Sequence, residues 1–196
     1  MDTETLSPST TVIETPEGTV GLPAASDALK THINTYLNQI HSGTVKLRGF
    51  GVADGYKAEV DSIRMPRRGT RFSAGYDIFN NTGADIVIQP NSTSDKISTK
   101  IQSFMQSDEY LSLFVRSGHG FKHSVRLANS TGIVDADYRN EIFIKIRNPN
   151  NYQVVIPAGE AIAQAIFQKY LLADDDADTV GGDRTGGFGS TNEKKD

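Results

Sequence analysis

The chain has 196 residues, 37% of them hydrophobic and 22% charged, with a formal net charge of −4 and no cysteine. That length and composition suit one globular core with an appended segment rather than two full domains. The acid excess excludes a general attraction to nucleic acid or anionic membrane, and the missing cysteines exclude disulfides and thiolate metal sites. A negatively charged ligand must therefore be small and held by a few placed cations and backbone donors. The start Met1-Asp2-Thr3-Glu4-Thr5 is acidic and polar, and no run approaches membrane-spanning length, which predicts a cytoplasmic protein. On that reading the patterns Asn91-Ser92-Thr93 and Asn129-Ser130-Thr131 never meet the glycosylation machinery.

Residues 1–44 form a first segment: a Ser/Thr-rich lead, a hairpin expected around Thr15-Pro16-Glu17-Gly18, and one helix. Leu29, Ile33, Leu37 and Ile40 recur at helical spacing, with Ser26 placed to cap the start and Gly43 to end it. The apolar stripe is expected to dock on the main domain, a partner-binding role being the alternative.

Residues 45–172 read as a β domain of short segments split by Gly, Pro, Asn and Asp. Leu111, Leu113 and Val115 are expected on one strand face and Ile142, Ile144 and Ile146 on another. Asp85–Gln89, Tyr152–Ile156 and Ala161–Phe167 add further strands, which together predict a barrel or jelly-roll-like sandwich. Residues 173–196 begin with Ala173-Asp174-Asp175-Asp176-Ala177-Asp178 and continue Gly-rich, the pattern of a mobile arm. The Asp run lacks the central Gly and terminal Glu of a calcium loop, so no metal is assigned to it.

Along this chain several segments carry candidate chemistry. Asp77 lies in Ala74-Gly75-Tyr76-Asp77-Ile78, after a basic stretch from Arg64 to Arg71. Arg116-Ser117-Gly118 places a cation, a hydroxyl and a free N–H at a strand end. His119 and His123 are four apart, but Gly118 and Gly120 argue against a helix that presents both on one face, so a metal pair is not expected. Asn129 to Arg139 is a hairpin-like stretch able to build a pocket: an amide for a base edge, carboxylates for a proton, a Tyr ring for a sugar. Arg184 to Thr191 sets Phe188 among glycines beside hydroxyls and a guanidinium, suited to phosphate contacts and stacking on a planar base.

Taken in order, these segments resemble the five motifs of the trimeric dUTPase family, of bacterial or bacteriophage type. The resemblance runs through Ala74–Ile78, Arg116-Ser117-Gly118, Gly132–Arg139, Gly159-Glu160-Ala161-Ile162-Ala163-Gln164 and Arg184–Thr191. It implies an all-β, jelly-roll-like distorted barrel with the helix-bearing N-terminal segment appended. It also implies a homotrimer whose sites are shared between chains, and hydrolysis of dUTP to dUMP and pyrophosphate. That reaction limits uracil entry into DNA and supplies dUMP for thymidylate synthesis. Asp135 is implied as the base that activates water against the α-phosphorus, with Tyr138 packing on deoxyribose. Asn129 and the backbone of Ile133 and Val134 are implied to read uracil. Arg116, Ser117, Gly118 and Gln164 are implied to hold phosphates. The arm is implied to close with Phe188 on uracil and Arg184, Gly187, Gly189, Ser190 and Thr191 around the phosphates. Mg²⁺ is implied to ride mainly on the triphosphate, with Asp77 near it through water.

Three positions depart from the family pattern. Ala161 stands where Arg is usual, Arg184 to Phe188 is one residue tighter, and Asn140 replaces a Gly, which a turn can accommodate because Asn tolerates left-handed geometry. The nearest rival, a dCTP deaminase, shares the fold, but Asp135 with Tyr138 and the Phe188 arm favour dUTP hydrolysis. A regulatory protein partner engaging residues 1–44 is an additional reading.

Overall fold

The computed structural model describes residues 11–15, 18–22, 27–43 and 45–176. The chain divides into two compact units, Met1–Lys46 and Leu47–Asp196. In the first, β1 (Thr11–Thr15) and β2 (Gly18–Leu22) form the expected hairpin, with Thr15 opposite Gly18. The helix follows as α1 (Asp27–His41), and Gly43 ends it with φ +73, a left-handed geometry that glycine adopts without a Cβ penalty. Ile33 and Leu37 of the predicted stripe are exposed and Ile40 is half-buried. Ser26, Pro16 and Glu17 lie outside the described residues.

The second unit is mostly β. Its strands are β3 (Gly49–Val52), β4 (Arg67–Arg68), β5 (Tyr76–Phe79), β6 (Ile86–Ile88), β7 (Ile97–Ser98) and β8 (Ile101–Phe104). There follow β9 (Glu109–Val115), the short helix α2 (Ser117–His123), β10 (Arg126–Leu127) and β11 (Gly132–Asp135). The last are β12 (Phe143–Ile144), β13 (Ile146–Arg147), β14 (Val154–Ile156) and β15 (Ala161–Lys169). A five-stranded antiparallel sheet in the order β11-β9-β15-β5-β4 is accompanied by the pairs β3-β8, β6-β14, β7-β12 and β10-β13.

Strand chemistry follows position in this sheet. β9 lies between β11 and β15, so Leu111 and Leu113 are buried on one face while Ser112 is buried on the other. Val115, at the strand end, is only half-buried. Ile142, Ile144 and Ile146 are all buried, yet not in one strand: β12 pairs with β7 and β13 with β10, so the chain changes partners within five residues. Buried amides tie the loops between strands. Asn148 donates to the Ile88 and Tyr152 carbonyls at 3.1 and 2.8 Å, and Asn80 donates to Ala84 and Pro157 at 2.8 and 3.1 Å.

At the start of β9, buried Glu109 accepts two bonds from Arg48 Nε at 2.9 and 3.0 Å and one from the Gln106 N–H at 3.2 Å. The Arg48 guanidinium holds the Glu109 carboxyl below the usual carboxylate range, against the opposing effect of burial. A depressed folded pKa means that this stabilisation is full above the unfolded value, about pH 4.3, and is lost as pH falls through the folded one. Glu109→Gln is therefore expected to lower stability at neutral pH by roughly 2 kcal/mol, less than the about 3–5 kcal/mol of breaking a fully buried pair because Arg48 is partly exposed. It should also flatten the acid dependence of Tm below about pH 4.3. Thermal melts from pH 3 to 7 on both chains check it; parallel curves would rule it out.

Candidate active site

Two groups of predicted residues are assembled by two different parts of the sheet. The first group centres on the end of β9. Arg116 leads into α2, whose first-turn N–H groups at Ser117 and Gly118 have no intrahelical acceptor. Arg116 Nε lies 2.9 Å from Asp77 Oδ1, a pairing that joins β5 to the β9–α2 junction. Asp77 sits directly across from Gln164 on β15, and Gln164 donates from Nε2 to the Val115 carbonyl at 3.3 Å. Gly75 makes that arrangement possible: a Cβ there would stand 2.6 Å from Gln164 Oε1, so any side chain would push the carboxamide aside. Ser117 and Gln164 line one shallow depression with Val115, Phe121 and Ser130.

The second group is built on β11. Ser130, at φ +64, forms the turn after β10, held by its N–H to the Leu127 carbonyl at 3.0 Å, and delivers Asn129 to the strand start. Antiparallel pairing sets Ile133 opposite Ser112 and Asp135 opposite Tyr110. The period-2 alternation then buries Gly132 and Val134 and exposes Ile133 and Asp135. Gly132 eases this approach, since a Cβ there would stand tight against the Leu113 side chain at 3.1 Å. The chain turns after the strand, the Tyr138 N–H bonding the Asp135 carbonyl at 3.1 Å, and the Tyr138 hydroxyl donates to the Glu141 carbonyl at 2.8 Å. That bond fixes the ring against a pocket of about 200 Å³ lined by Asn129, Ile133, Val134, Asp135 and Tyr138. Ile133 and Asp135 also line a wider cleft with Tyr110, Asp137 and Arg139.

Asn129, Ile133, Val134, Asp135 and Tyr138 are thus brought together, as are Asp77, Arg116, Ser117 and Gln164, with Gly118 beside them on α2. The two depressions share no lining residue. Arg184, Gly187, Phe188, Gly189, Ser190 and Thr191 lie outside the described residues. One expectation is corrected. His119 and His123 do lie on a helix, because α2 forms in spite of Gly118 and Gly120 where the sheet fixes its first residues. The turn after Tyr138 accommodates Asn140, as expected, and does so without left-handed geometry. Sequence reasoning missed the Arg116–Asp77 pair and the inward role of His119, whose Nε2 lies 3.0 Å from the Ala161 carbonyl. Among the described residues no three His, Asp or Glu side chains converge as metal ligands would, and no helix is long and apolar enough to cross a membrane.

The dUTPase family model matches residues 61–191. A deoxyuridine 5'-triphosphate nucleotidohydrolase of Lactococcus lactis is 38% identical over 153 residues, covering 75% of this chain and 99% of that protein. Its counterpart in Arabidopsis thaliana is 34% identical over 132 residues, or 65% of this chain and 75% of the relative. Among solved structures, the dUTPase of Streptococcus mutans superposes with a TM-score of 0.56 at 31% identity, covering 64% of this chain and 98% of that one. The dUTPase of phage phi11 of S. aureus gives 0.56 at 20% identity, over 66% and 94% of the two chains, a likeness of fold.

Proposed function

From the premise that the chain belongs to the dUTPase family and is a dUTP-hydrolysing enzyme, we propose that water activated by Asp135 attacks the α-phosphorus of dUTP. The water oxygen bonds to phosphorus, its proton passes to the Asp135 carboxylate, and the bond to the β-phosphate oxygen breaks, releasing pyrophosphate and dUMP. The observation that carries the reading is the 200 Å³ pocket with Asn129, Asp135 and Tyr138 on its walls. It is narrow enough for one pyrimidine, offers an amide for the base edge, and sets a carboxylate at the mouth where a wider cleft begins. Asn129 with the backbone of Ile133 and Val134 reads uracil. The fixed Tyr138 ring packs on deoxyribose and leaves no room for a 2′-hydroxyl.

Arg116, Ser117, Gly118 and Gln164 hold the phosphates, charge-assisted bonds and free N–H groups being suited to anionic oxygens. Ser117 and Gln164 line a depression separate from the base pocket, an arrangement that suits a homotrimer in which each complete site takes the base pocket from one chain and the phosphate donors from another. Arg184, Gly187, Phe188, Gly189, Ser190 and Thr191 would contact the bound nucleotide, Phe188 on uracil and the others at the phosphates. Asp77, beside the phosphate donors, suits a hard cation that keeps its waters, so Mg²⁺ would be held by the triphosphate and by Asp77 through water. Bound there, it supplies neutralisation of phosphate charge. The reaction belongs in the cytoplasm, where dUMP feeds thymidylate synthesis.

Incubation of the purified protein and Mg²⁺ with dUTP, dCTP, dTTP and UTP in turn tests this. Pyrophosphate and dUMP from dUTP alone are expected. Ammonia from dCTP, or no turnover of dUTP, overturns it.

A further inference from the structure

We propose that His119 is a positioning residue that locks the phosphate-binding end of α2 to the start of β15. The inference rests on the reading that Ser117, Gly118 and Gln164 hold the phosphates. His119 is buried, and its Nε2 lies 3.0 Å from the Ala161 carbonyl and 3.4 Å from Glu160 Oε1. A carbonyl has no proton to give, so Nε2 carries the hydrogen and donates it. The imidazole is thus a crossbar between two elements: α2, which begins with the phosphate donors, and β15, which carries Gln164.

The anchor at the far end is itself fixed. The Gly159–Glu160 turn is bonded to both backbone groups of Asn80, at 2.7 and 2.8 Å, and Arg64 Nη1 donates to the Gly159 carbonyl at 2.7 Å. Ala161, where the family resemblance expects Arg, has only a methyl group and cannot reach toward α2. The bridge is made instead from the opposite side, by a histidine reaching the Ala161 backbone. A ring in this place sets the distance between Ser117 and Gln164 without touching substrate.

The test uses the full chain and compares His119→Leu, His119→Gln and His119→Asn. The amide nitrogen of Gln occupies nearly the position of Nε2, whereas that of Asn stops near Nδ1 and cannot reach the carbonyl. His119→Leu and His119→Asn are expected to lose about tenfold in kcat/KM for dUTP and in affinity for the non-hydrolysable dUpNHpp, since small misplacements of positioning groups are costly. Deoxyuridine, which has no phosphates, should bind all chains within about twofold, and His119→Gln should recover to within about threefold of wild type, because one donor is restored. His119→Asn serves if His119→Leu does not fold. Unchanged dUpNHpp affinity, a parallel fall for deoxyuridine, or a Gln variant no better than Asn each overturns the proposal. Wild-type protein without dUTP turnover would instead overturn the proposed function, whereas wild-type turnover with unaffected His119 variants overturns only the crossbar.

Discussion

Asp135→Asn is expected to reduce dUTP turnover by roughly 10³-fold, within the range set by removing a general base, while leaving dUpNHpp affinity within about threefold, since the amide keeps the size and shape of the carboxylate. The backbone of β11 supports that separation. Asp135 is the last residue of a paired strand, opposite Tyr110, and its side chain is exposed where the pocket meets the wider cleft. An amide in its place cannot take a proton from water. Asp137, two residues on, lines the wider cleft but not the 200 Å³ pocket, so Asp137→Asn should keep most of the rate. Pyrophosphate release and equilibrium binding on the two variants decide the matter. Equal losses in both would remove Asp135 from its assigned role.

The second large effect is expected at Arg116. Arg116→Ala should lower kcat/KM for dUTP by about 10²-fold, the scale of losing one charge-assisted donor to a developing phosphate charge. Arg116→Lys should restore only part, because an ammonium cannot reproduce the planar fork. The same change removes the partner of Asp77 at 2.9 Å. Both side chains are partly open to solvent, at 37% and 22% exposure, so the stability cost should stay within about 1 kcal/mol. Steady-state kinetics and thermal melts read the two quantities separately. A large loss of stability with little loss of rate would make Arg116 a structural residue.

How far the sequence carried this picture depends on whether a signal was local. Antiparallel strands with a local apolar alternation, such as Leu111, Leu113 and Val115 in β9, are legible because the pattern is contained in a few consecutive residues. The pocket residues Asn129 to Tyr138 are contiguous in sequence, so their grouping was legible too. α2 was not, since two glycines in seven residues lower its propensity and only the end of β9 sets its first residues in place. The split of Ile142–Ile146 between two partners leaves the apolar pattern unbroken and therefore invisible. Asn80 and Asn148 have the composition signature of turns, yet both are buried cross-links between loops. Cross-strand partners such as Asp77 and Arg116 belong to register, which periodicity does not encode.

The proposed sharing of each site between chains, with Asp135 in the base pocket and Arg116 among the phosphate donors, would have a genetic consequence. On a site shared between chains, an allele damaged at Asp135 still contributes sound phosphate donors, and one damaged at Arg116 still contributes a sound base pocket. Two null alleles expressed in one cell would then complement each other, with some mixed assemblies regaining an intact site. Two lesions in the same depression would not.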